Sequence, residues 1–80
     1  MDYDPSKVDE MTLALMFLTS FAEQEITRSW KGYDWGAMGR LHAAGLIYDP
    51  VGKAKSVVLT EEGKKRSREL FLKHFAQSAS

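Results

Sequence analysis

Arg28, Trp30, Lys31, Tyr33 and Trp35 fall within eight consecutive residues, and rings interleaved with cations are the chain's best raw material for a binding surface. Aromatic and basic side chains mixed in this way stack single-stranded bases and neutralise phosphates. The same rings also anchor an irregular loop to a core, because each takes a large apolar area out of water. A chain with little core to spare is expected to use them as anchors. Lys53 and Lys55 follow in a turn-rich segment, and Arg40 lies in a short helical stretch. Arg28, Lys31, Arg40, Lys53 and Lys55 are therefore the candidate contacts to nucleic acid. Such contacts position a protein on phosphate without reading sequence. The alternative is ordinary solvated charge, with lysines beside a strand guarding its edge.

Other chemistry is poorly represented. The chain has no cysteine, so it has neither disulfides nor thiolate metal ligands. His42 and His74 are far apart, no His-x-x-x-His or His-Glu pair occurs, and both fit the edge of a core better than a metal site. The run from Gly45 to Gly52-Lys53-Ala54 has the glycines two residues too far apart for a phosphate loop, and Ala54 stands where the magnesium-binding hydroxyl belongs. No serine sits in a Gly-x-Ser-x-Gly elbow. We expect no catalytic residues, no cofactor, no metal and no enzymatic activity.

These side chains must be held by one domain, residues 1–80, with the ends 1–4 and 77–80 expected to be disordered. The apolar content of 44% supports a core. A domain this small is marginal alone and gains from self-association. The start, Met1-Asp2-Tyr3-Asp4, is acidic where a signal peptide is basic, and no stretch is long and apolar enough for a bilayer. The expectation is a cytoplasmic protein with no membrane partner. Net charge is zero but uneven. Residues 1–26 hold six acids and one lysine, net −5, and residues 27–80 hold ten bases and five acids, net +5. A basic nucleic-acid surface or an acidic helix lying on a basic one fits this equally, and two ordinary solvated faces fit it better than either.

Five elements are expected. Asp4-Pro5 caps a first helix that runs on through Ala22, with Ser6 and Asp9 as a capping box. Val8, Met11, Leu15, Leu18 and Ala22 make one stripe, while Leu13, Met16, Phe17 and Phe21 lie off it, so this helix is buried on more than one side. Residues 23–33 read as a loop with a short strand at 27–30. Asp34 caps a second helix over 35–44, with Trp35, Met38, Leu41 and His42 on one face and Gly45 as its left-handed stop. Its exposed residues are Gly36, Ala37, Gly39, Arg40, Ala43 and Ala44. Leu46-Ile47-Tyr48 and Ser56-Val57-Val58-Leu59 form a hairpin around the turn residues 49–53, with Val57 and Leu59 facing the core. Thr60 caps the last helix, where Leu70, Phe71 and His74 continue the face of Gly63 and Ser67. Glu61–Lys65, Glu62–Arg66 and Glu69–Lys73 are spaced as i,i+4 ion pairs.

Leu41-His42-Ala43-Ala44-Gly45-Leu46-Ile47, followed about a dozen residues later by Leu59-Thr60-Glu61-Glu62-Gly63, resembles the end of winged helix-turn-helix domains of the multiple-antibiotic-resistance and phenolic-acid regulator types. The resemblance implies an α+β, mainly α fold, winged-helix-like α-α-β-β-α with a two-stranded hairpin wing. It also implies double-stranded DNA as partner and places residues 35–44 in the recognition position. The whole chain is similar to a family of short uncharacterised bacterial proteins through Arg28 to Trp35, Leu41-His42, Gly45-Leu46-Ile47 and Lys53 to Val57. That family brings no activity with it.

Two functions follow. One is a DNA-associated winged-helix module or transcriptional regulator. The other is a protein-interaction module on the same scaffold, a homodimer or the binder of another protein. Its interface would be the surplus apolar residues of the outer helices: Leu13, Phe17, Phe21, Leu72 and Phe75. The second helix argues for the latter, because only Arg40 on its exposed face reaches a base edge and Asp34 at its start repels phosphate.

Overall fold

A computed structural model describes residues 1–77 in the order α1 (Pro5–Leu18), β1 (Ser20–Glu23), β2 (Ile26–Trp30), α2 (Trp35–Ala43), β3 (Ser56–Val58) and α3 (Glu61–Phe75). The fold is α+β and mainly α. Of the tail expected to fray at 77–80, residues 78–80 lie outside the described part.

The three helix starts follow from their caps. Asp4 accepts from the Ser6 amide at 2.9 Å with Pro5 behind it. Asp34 accepts from Ala37 N and Thr60 from Gly63 N, each at 2.9 Å. Each cap satisfies an amide that has no partner inside its helix. At the end of α2, Gly45 adopts φ +78°, Gly45 N–H donates to His42 O and Leu46 N–H to Leu41 O, both at 3.0 Å. That pair of bonds is a Schellman stop.

The first helix is shorter than its apolar run suggests. It ends at Leu18 because Thr19 and Ser20 turn their hydroxyls onto Leu15 O and Phe17 O, at 3.1 and 2.7 Å. Such back-bonding competes with helix continuation. Phe21 and Ala22, expected in the helix, start a hairpin instead. β1 and β2 pair antiparallel, Ser20 with Ser29 through Glu23 with Ile26, across the two-residue turn Gln24-Glu25. Both turn residues have positive φ, 51° and 68°, as a primed hairpin turn requires. A strand pair thus lies between α1 and α2, where one short strand in a loop was expected.

β3 lies on the other side of β2, so the sheet order is β1-β2-β3. The pairing expected between 46–48 and 56–59 takes the form of one antiparallel bridge, Ile47 with Leu59, extended by Tyr48 N–H donating to Val58 O at 2.9 Å. Val57 and Leu59 face the core as expected.

The helices cover one face of the sheet. The core joins Leu13, Ala14 and Met16 of α1, Met38 and Leu41 of α2, Ile47, Val57, Leu59 and Leu70 of α3. Each large aliphatic side chain there contributes about 1.5–3 kcal/mol. α3 comes close enough that a Cβ on Gly63 would lie 1.7 Å from Leu46 O. Trp35 is not in this core. It is 58% exposed, because Ala37, Met38 and Leu41 take the inward side of α2 and the first residue of the helix is left outside. His42 is also exposed, its Nδ1–H donating to Ile47 O at 3.0 Å, and Ala37 is buried, not exposed. Leu46 is half-buried. No helix among the described residues is long and apolar enough to cross a membrane.

Candidate functional site

The Cα trace measures 43 × 38 × 19 Å, thin enough for two layers only. One layer is helical and the other is the sheet, so among the described residues no element covers the sheet's second face. Register shows what that face carries. Phe21, Arg28 and Val58 are cross-strand partners, and Tyr48 continues the row through its bond to Val58. Ile26 and Trp30 lie on the same face of β2, two residues either side of Arg28. The rings of Phe21 and Trp30 meet with centroids 5.0 Å apart. Trp30 is 57% exposed and Tyr48 58%.

Cations gather around one end of the sheet. Arg28 is half-buried among the outward side chains and donates from Nη1 to Ser56 Oγ at 2.9 Å. Beyond β2, Lys31 N–H donates to Lys55 O at 2.9 Å, which draws the 52–55 turn alongside. Lys31 Nζ lies 3.4 Å from Gly52 O and 5.9 Å from the centre of the Trp35 ring. Lys53 and Lys55 are exposed on the same turn. The acids Glu23 and Glu25 sit at the opposite end of the hairpin, and Asp49 follows Tyr48.

Four of the five expected nucleic-acid contacts therefore come together, and the fifth does not. Arg40 belongs to a cleft between the three helices, where its Nε donates to Asp9 Oδ2 at 2.7 Å. That bond raises the Arg40 pKa above its ordinary value. With its cation committed to Asp9, α2 presents no long polar group suited to reading bases.

The five expected interface residues do not form one patch. Leu13 is buried in the core, so its placement at an interface is corrected. Phe17 is half-buried against Phe71 at 5.3 Å, and Phe75 continues that row at 5.4 Å from Phe71. Phe21 belongs to the sheet, and Leu72 and Phe75 are each 45% exposed. α1 is turned the opposite way from its regular stripe. Leu13, Ala14 and Met16 go inward, whereas Leu15 and Leu18 are exposed and Val8 and Met11 half-exposed. Thr12 manages burial by donating its hydroxyl to Val8 O at 2.7 Å.

His74 and Glu10 form the other polar cluster. His74 Nε2 lies 2.9 Å from Glu10 Oε1, and Lys73 Nζ lies 3.5 Å from the same oxygen. The His74 hydrogen bond, with smaller help from Lys7 and Lys73, holds the Glu10 carboxyl below its ordinary pKa. Lys73 thus turns to Glu10 rather than Glu69, and Glu69 meets Arg66 at 3.9 Å. No group of three or more potential metal ligands occurs among the described residues.

Ile26 and Tyr48 were missed as surface residues. Tyr48 had one usable signal: it is an aromatic ending a β-rich run just before Asp49-Pro50. Ile26 had none, because its face is defined only by the hairpin.

Fold and site define a small α+β domain with one open sheet face bearing aromatic rings and flanked by cations. The chain belongs to the family described as a domain of unknown function, DUF6429, which matches residues 4–77. It is 49% identical over 77 residues to the uncharacterized protein y4hR of Sinorhizobium fredii, an alignment covering 96% of this chain and 100% of that relative. No solved structure matches.

Proposed function

We propose that this chain is a cytoplasmic, non-catalytic DNA-associated module that grips nucleic acid through its sheet end and not through a recognition helix. The observation that carries the reading is the convergence of Arg28, Lys31, Lys53 and Lys55 beside the exposed rings of Trp30 and Trp35. The similarity of Gly45-Leu46-Ile47 and Leu59-Thr60 to regulator-type winged helices agrees with it, and in that likeness Lys53 and Lys55 occupy the wing. Four phosphate contacts give duplex affinity a log–log salt slope of about −3 to −4. Between about 50 and 200 mM salt, affinity then falls about 100-fold. Fluorescence anisotropy with random duplex and with single strands tests this. Binding at about 50 mM salt that is abolished by Lys53→Glu/Lys55→Glu is the expected result, and absence of binding to either form sinks the reading.

A second reading rests on a separate observation. Leu15, Leu18 and Tyr3 are exposed along the outer side of α1, an apolar strip suited to a second copy of the chain or to another protein. Sedimentation at micromolar concentration tests it: a dimer broken by Leu15→Glu supports it, and a clean monomer removes it.

A further inference from the structure

We propose that the open sheet face is a platform for single-stranded nucleic acid, with two or three unpaired bases stacked across it. The proposal rests on the nucleic-acid reading above and specifies the strand form and the surface. Stacking needs rings with a free face, and duplex DNA already has its base faces covered. Phosphate contact alone needs no aromatics. The face supplies both. Phe21 and Trp30 form one ring step at 5.0 Å, and Tyr48 stands at the other edge of the same surface. Phe21 and Tyr48 are three strand positions apart, about 14 Å at the usual strand spacing. Sheet platforms of comparable width stack two or three bases.

Charge selects the occupant. Arg28 lies between the two ring sites, and Lys31, Lys53 and Lys55 border the Trp30 end. A polyanion running across the rings meets a cation at the centre of the face and more at its end. A second copy placed face to face about a two-fold axis instead brings Arg28 toward Arg28 at the centre, a like-charge contact with no acid on the central row. The acids Glu23 and Glu25 stand off at the far end of the hairpin, so they limit the platform without crossing it.

The test compares a short oligothymidylate with a duplex of equal length by anisotropy at about 100 mM salt. Intrinsic fluorescence is followed in a Trp35→Phe background, in which Trp30 is the remaining tryptophan. The single strand is expected to bind more tightly and to quench Trp30. Trp30→Ala is expected to weaken single-strand binding about ten-fold with little change for duplex, and Trp30→Phe to restore most of the loss. Thermal unfolding of each variant checks that the fold is kept. If Trp30→Ala leaves both affinities unchanged while Lys53→Glu/Lys55→Glu lowers both, the phosphate reading stands and the platform is overturned. If neither form binds, both are overturned. A self-association lost on Trp30→Ala without nucleic-acid binding would assign the face to a second copy and overturn the platform.

Discussion

Along β2 the two faces of the sheet carry side chains in the reverse of the usual order of size, with Thr27 and Ser29 turned inward and Ile26 and Trp30 outward, whereas Ile47, Val57 and Leu59 keep the usual order. At the centre of the covered face stands Ser29, fully buried, hydrogen bonded to Thr19 at 2.9 Å and flanked by Val57. The open face carries Phe21, Ile26, Trp30, Val58 and Tyr48. A half-buried sheet normally turns its large apolar residues inward and its polar ones to water. Here a serine contacts the helices and a tryptophan faces solvent. Small groups inside let the helices lie close. The rings outside are not among the buried core residues.

That contrast can be broken experimentally. The largest effect is expected at Gly63, where the helix layer is tightest: Gly63→Ala must push α3 from the Leu46 carbonyl and cost about 3 kcal/mol or more, read as a lower urea midpoint. Leu13→Ala empties the core beneath the sheet and is expected to cost about 3 kcal/mol by the same measurement. Trp30→Ala should cost about 1–2 kcal/mol, less than Leu13→Ala, since more than half its surface is already wet. A loss as large as that at Leu13 would show that the open face is structural after all. Glu25→Gly tests the turn that feeds both faces. Relief of a positive φ should raise stability by about 1 kcal/mol, or about 5 °C in Tm.

The smallest effect concerns acid. Because Glu10 is held below its ordinary 4.5 by the His74 hydrogen bond, its contribution is present above that pH and is lost as pH falls through the lowered folded value. Glu10→Gln should therefore narrow the stability gap between neutral and acid solution. Equal acid sensitivity of the two proteins in a melt series would discount the link.

The sequence exposed the parts of the fold whose rules are local. Asp4, Asp34 and Thr60 announced the helices, Gly45 the stop, and the alternation at 56–59 the inward pair Val57 and Leu59. The β1–β2 hairpin was hidden because its turn is Gln24-Glu25, with neither glycine nor asparagine to signal positive φ. The orientation of α1 was hidden for another reason. Its apolar residues encircle the helix, so periodicity does not choose the buried side, and packing by Leu13 and Met16 decides it. At the site, the cations and tryptophans were legible by type. Bringing four of the cations together depended on the pairing of β2 with β3, two segments far apart in the chain, and the loss of Arg40 to Asp9 depended on a contact across 31 positions of chain.

Thr60 donates its hydroxyl to Gly45 O at 2.7 Å and its amide to Leu46 O at 3.1 Å, while Ile47 bridges Leu59. The stretch between them is consequently a ring with a locked neck. Lengthening such a ring costs little, because closure entropy grows only slowly with length. Val51 and Gly52, both exposed at its rim, mark the seam where an epitope or a reporter peptide can be spliced in while the helices stay in place.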